Sequence, residues 1–99
     1  MPEGSQLVNR RSERKRVQIP VTLVVGSEGV ESPAMSVDLS PEGMRLQSYA
    51  ALLEGQLVRL HLAAAPENFM HARVAWVGKP GSAEAGQAGL EFLDGPLVH

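Results

Sequence analysis

Two short stretches of this chain carry side chains that could do chemistry. Residues 10–16 read RRSERKR: Arg10, Arg11, Arg14, Lys15 and Arg16 surround Glu13, for a local charge of +4. Residues 36–46 read SVDLSPEGMRL, in which Asp38, Ser40 and Gly43 stand between apolar residues. Arginine presents a planar fork of donors that fits a phosphate, and its flat face can also stack on an aromatic ring. Asp38 can accept from a guanine-like N–H edge or from an arginine, and Ser40 can donate to a phosphate. Two residues apart on a continuing strand, they point to the same side. Gly43 can take a positive φ and allows close backbone approach. Each stretch also has a plainer use. The arm can be a solvated basic tail, and Asp38 or Ser40 can satisfy the backbone donors of a turn.

Other chemistries find little support. There is no cysteine, so disulfides and thiolate metal sites are excluded. His61 and His71 are isolated from any convincing carboxylate set and His99 is terminal, so no metal site is expected. Ser40 has no evident paired base. Asp38, beside a cationic arm, is suited to staying charged rather than to serving as a general acid, so no catalytic residues are expected. The GKPGS run at 78–82 lacks the glycine spacing and the strand-to-helix context of a phosphate loop.

The elements that must position these residues are short. The 99 residues fit one compact domain, and 43% hydrophobic with 20% charged residues describes a globular chain rather than a disordered one. The whole chain carries −2, so everything outside the arm carries −6. Such an arm can engage a compact anion, a nucleic-acid backbone, a membrane or the acidic body itself. No apolar run approaches the roughly 18 residues of a membrane-spanning helix, so no membrane insertion is expected. The first residues lack a secretion-signal pattern, which makes the cytoplasm the default location.

Alternating apolar residues mark the strands. Val17, Ile19, Val21, Leu23 and Val25 recur with period two. Pro20 interrupts them, so that strand is expected at an edge, bulged, or unpaired on one side. GSEGVESPA reads as a hairpin connection. Met35, Val37 and Leu39 follow on one face, with either a bulge or one of the latter two turned outward. SPEG is a turn, with Pro41 at its first corner. Met44 and Leu46 face inward after it. SYALLEG is a helical turn at most. Val58, Leu60 and Leu62 form the next strand, and Ala72, Val74 and Trp76 face one way on the one after, with Trp76 expected in the core or at a rim and a binding surface as its alternative. KPGSAEAGQAG is a loop, and GLEFL closes the chain. Residues 1–9 are an irregular lead-in, and residues 10–99 form the domain, with the arm at 10–16. Six short antiparallel strands are most economically closed as a small barrel.

Taken together, RRSERKRV, SVDLSPEGMRL, VRLHL, ARVAWV and GLEF resemble the PilZ domain over roughly residues 10–93. The resemblance implies an all-β, six-stranded antiparallel barrel that binds cyclic di-GMP, with no cofactor beyond that ligand. Its signature is RxxxR ahead of the first strand and [D/N]xSxxG after the second. Asp38, Ser40 and Gly43 match the second motif. Arg10 and Arg14 have the RxxxR spacing; alternatively, Arg16 takes one role next to the first strand and Arg11 approximates the other. By resemblance, the arginines grip phosphates and guanine faces, Asp38 bonds a guanine edge, and Ser40 approaches phosphate. The implied function is a non-catalytic receptor module that signals through its arm to a protein effector, with a homo-oligomer left open. The alternative is a ligand-independent adaptor of the same fold in motility or pilus-related machinery. Nucleic acid is disfavoured by an acidic barrel lacking aromatic platforms.

Overall fold

The computed structural model describes residues 15–94, so Arg10, Arg11 and Arg14 lie outside the described residues. Its elements are β1 (Lys15–Arg16), β2 (Pro20–Val25), β3 (Val30–Ser40), β4 (Gly43–Ser48), β5 (Leu57–Leu62), β6 (Phe69–Val77) and β7 (Gln87–Phe92). Strands β3, β2, β5, β6, β7 and β4 pair in that order, and β4 pairs back onto β3, closing a six-stranded barrel. Every pairing is antiparallel. The two-residue β1 adds to β3 beyond the end of β2. Closure removes the free edges that a small open sheet would leave for aggregation. Among the described residues, no helix is long and apolar enough to cross a membrane.

The interior follows from period two. Val21 and Leu23, Met44 and Leu46, Val58 and Leu60, Ala72 and Val74, and Ala88 and Leu90 form the buried cluster. Leu52 joins them from the connection after β4. No helical turn forms there, within the upper bound read from SYALLEG. The chain bends instead, with the Ser48 hydroxyl accepting the Ala50 N–H at 3.0 Å.

Three irregularities break this simple alternation. Between β3 and β4, Ser36 lies opposite Leu46 but Asp38 lies opposite Arg45, so β3 carries an extra residue at Val37. The bulge shifts the phase. Ser36 shares the face of core Leu46, while Asp38 and Ser40 share the outer face of Arg45 and Gly43, and Leu39 comes in against Met44. Met35, expected on the core face with Leu39, is instead 40% exposed. A second bulge puts Val74 opposite Leu90 but Trp76 opposite Gly89. Trp76 therefore leaves the face of Ala72 and Val74, contrary to the sequence expectation. An inserted residue changes which side every later residue faces.

The third irregularity precedes Pro20. Arg16 is opposite Asp38 and Pro20 opposite Met35, so the first strand holds one residue more than β3 between these pairs. Of the outcomes expected for Pro20, the bulged one is found. Strand β2 is flanked on both sides, by β3 and β5, with the proline as its first residue.

Strand β7 runs on into a polar clasp. The His71 N–H donates to Asp94 Oδ2 at 2.7 Å, and Leu93 N–H donates to the His71 carbonyl at 2.9 Å. The backbone bond from His71, more than its nearby ring, holds the Asp94 carboxyl below the ordinary aspartate value of 3.8. A lowered folded-state pKa contributes stability that is present above the unfolded value and lost as pH falls through the folded one. Asp94 should therefore titrate below 3.8 when its carboxyl carbon is followed by NMR through the acid range. His71→Ala should preserve most of that lowering, because the backbone donor remains.

Candidate functional site

The β3–β4 hairpin turns on Pro41 and Glu42, with Ser40 directly opposite Gly43. The Ser40 hydroxyl accepts the Glu42 N–H at 3.3 Å and points toward the Gly43 carbonyl at 3.5 Å. Ser40 thus fills the turn-supporting use weighed from sequence. The Glu42 carbonyl accepts the Phe92 N–H at 2.8 Å, fastening the turn to the end of β7. Gly43 does not have a positive φ, contrary to the expectation for the turn. Its need for glycine is close approach: a Cβ there would overlap the backbone carbonyl of Leu90.

Cross-strand partners share a face, and one such row spans five strands. Arg16, Asp38, Arg45, Gly89 and Trp76 are successive partners across β1, β3, β4, β7 and β6. At the usual strand spacing the row covers about 19 Å of the outer wall. Within it, an Arg45 guanidinium nitrogen lies 2.6 Å from Asp38 Oδ2. The Asp38 side chain is 7% exposed and that of Arg45 is 34% exposed, so this charge-assisted contact is partly shielded from water. Arg45 Nε is buried and has no hydrogen-bond partner among the described residues. Arg45 is not among the residues singled out from the sequence. The available signal was the turn itself, since a two-residue loop at Pro41–Glu42 sets residue 45 opposite residue 38.

Trp76 closes the far end of the row. Its indole lies against Gly89, where a Cβ would overlap the ring. Beside it is an open groove of about 430 Å³, lined by Arg45, Trp76, Lys79, Ser82 and Glu84 together with Val77 and Gly78. The groove combines an aromatic wall with two cations, a hydroxyl and the Glu84 carboxylate. That is a fitting environment for a planar base attached to a phosphate.

The sequence-predicted residues are thus partly brought together. Asp38 and Ser40 share the outer face with Gly43, and Arg16 is in register with Asp38. The two histidines take up local partners. His61 Nε2 accepts from Arg59 Nε at 3.0 Å while its Nδ1 contacts the Pro66 carbonyl at 2.6 Å. With Nε2 accepting, Nδ1 is the donor. His71 Nδ1 lies 3.2 Å from Asp94. Among the described residues, no group of three or more His, Asp or Glu side chains could hold a metal ion.

Comparison with known proteins places the fold. The PilZ domain family model matches residues 9–99. Among solved structures, the fold is similar to that of the PilZ domain of CeSA from a cellulose-synthesizing bacterium. The TM-score is 0.62 at 20% identity, over 83% of this chain and 81% of that one. Comparison with curated protein sequences gives no match.

Proposed function

The chain belongs to the PilZ domain family, and from that premise we propose that it is a non-catalytic receptor module for cyclic di-GMP, with its domain beginning at the basic arm. The observation that carries this reading is the outer row in which Arg16, Asp38, Arg45 and Trp76 stand in register, with Ser40 one step along β3. The ligand offers two phosphates and two guanine bases. Arginines of the arm, drawn from Arg10, Arg11, Arg14 and Arg16, supply forked donors to the phosphates. Asp38 accepts from a guanine N–H edge, Ser40 donates to phosphate, and Trp76 offers a face on which a base can stack. Gly43 keeps the turn beneath them seated on β7.

Binding neutralises the arm's charge and draws the arginines ahead of β1 against the barrel wall. The rearranged arm changes the surface presented to a protein effector or a second protomer, an order-changing switch of a familiar kind.

Titration calorimetry with cyclic di-GMP tests the proposal. A saturable heat is expected, with an affinity that weakens as salt rises, because phosphate contacts made by exposed arginines are screened. Single substitutions of Arg10, Arg11, Arg14 and Arg16 to alanine should then separate the clamp from its neighbours. A true clamp residue should lose about 2–5 kcal/mol of binding free energy, and a bystander almost none. Absence of any heat at high ligand concentration would leave the ligand-independent adaptor as the function of this barrel.

A further inference from the structure

The link from the arm into β2, residues 17–19, is held by a side chain that the ligand-binding reading leaves unused. Ser36 is fully buried, at 0% exposure, on the face of core Leu46. Its hydroxyl accepts the Ile19 N–H at 2.7 Å and donates to the Val17 carbonyl. Its own N–H donates to the Ile19 carbonyl at 3.0 Å, and Val17 N–H reaches the Val37 carbonyl at 3.3 Å. An ordinary antiparallel pair would exchange two backbone bonds between Ile19 and Ser36. Here one of the two is replaced by a side-chain bridge that also holds the carbonyl two residues upstream. The bridge sits at the extra residue between β1 and β2.

The consequence for the arm follows from the register. Continuing the β2–β3 pairing from Pro20 opposite Met35 without the extra residue would put Val17 opposite Asp38 and Arg16 opposite Leu39. That one-residue slip moves Arg16 to the other face. The observed register instead sets Arg16 opposite Asp38. We propose that Ser36 is a positioning residue whose hydroxyl latches the arm in the register that brings Arg16 to Asp38. Pro20 contributes from the other side: it lacks an N–H, and its ring restricts Ile19 to extended backbone, so the irregularity is confined to Val17–Ile19. The inference rests on the reading of the arm and Asp38 as halves of one ligand site.

The test compares Ser36→Ala with Ser36→Thr, which keeps the hydroxyl, and with Leu60→Ala, a core change on β5 remote from β1. In the ligand-free protein, NMR cross-strand contacts report register directly. Wild type and Ser36→Thr should pair Arg16 with Asp38, whereas Ser36→Ala should lose that pair and gain Val17 with Asp38. Cyclic di-GMP affinity should fall about tenfold in Ser36→Ala, as expected for loss of a preorganising hydrogen bond, and recover in Ser36→Thr. Leu60→Ala should lower the melting temperature yet change neither register nor affinity. If Ser36→Ala does not fold, Ser36→Cys retains the shape with a weak hydrogen-bonding group and should show the same slip. An unchanged Arg16–Asp38 pair in a folded variant lacking the hydroxyl overturns the latch. If wild type itself binds no cyclic di-GMP, the proposed function fails, while the register measurement still decides the latch.

Discussion

Replacing Asp38 with alanine is expected to weaken cyclic di-GMP binding roughly a hundredfold while the barrel remains folded, since truncating one partner of a buried charged contact removes a few kcal/mol of affinity. The carboxylate occupies the middle of the outer row, opposite Arg16 on one side and Arg45 on the other. Its oxygens would accept from a guanine edge there, between a donor on either side. Its removal also takes away the Oδ2 contact that fixes the Arg45 guanidinium beside the groove. The effect on folding should be about 1–3 kcal/mol, the range for loss of one partner of a hydrogen-bonded pair, which leaves the barrel folded. Arg45 is a third exposed and can recover water, and Asp38 lies on the opposite face from the core cluster. Asp38→Asn keeps an acceptor oxygen and nearly the same shape, so it should retain more affinity than Asp38→Ala. Calorimetric titration and thermal melting of the three proteins decide the matter. If Asp38→Ala unfolds the barrel, the residue serves the hairpin and its place in the ligand site is lost.

The architecture was largely legible because period two is a strong signal where a strand is buried on one face. Val21 with Leu23, Val58 with Leu60, and Ala72 with Val74 were expected inside and are inside. The motif residues Asp38 and Ser40 were expected on one side together, and the pairing with Arg45 and Gly43 puts them there. What escaped was the phase. A bulge adds one ordinary residue, here Val37 or Ala75, and neither its type nor its neighbours announce it. Met35 and Trp76 therefore take the face opposite to the one that simple alternation predicts, and Trp76 lines the groove beside Arg45. The reason for Gly43 was only half visible, since the approach of β7 depends on a pairing between residues almost fifty positions apart. Arg45 was hidden for a related reason. An arginine in an alternating strand looks like any outward residue until the hairpin register sets it opposite an acid.

Gly43→Ala is expected to be the most damaging single substitution at the site, because its new methyl group has no room. Strand β4 meets β7 with Gly43 opposite Glu91, and the Cβ would overlap the carbonyl oxygen of Leu90. A backbone carbonyl within a ladder cannot swing aside as a side chain can, so β4 and β7 must part locally. That seam is one of the two that join the β3–β4 hairpin to the rest of the closed barrel, and the Phe92 bond to the Glu42 carbonyl lies next to it. Overpacking of this kind should remove about 3 kcal/mol of stability. For a domain of this size such a loss lowers the melting temperature by roughly 15 °C. Gly89→Ala makes the informative contrast. Its Cβ would meet the indole of Trp76, a side chain that can rotate away, so melting should fall less. The displaced indole would instead alter the groove, visible as a shift in tryptophan fluorescence and in ligand affinity. Strand separation at Gly43 should appear in amide exchange as faster exchange along β4 and β7, with β2 and β5 protected as before. A Gly43→Ala protein that melts within a few degrees of wild type, with its β4–β7 amides still protected, would show that the seam tolerates a side chain and that the glycine of the motif is required by the ligand instead.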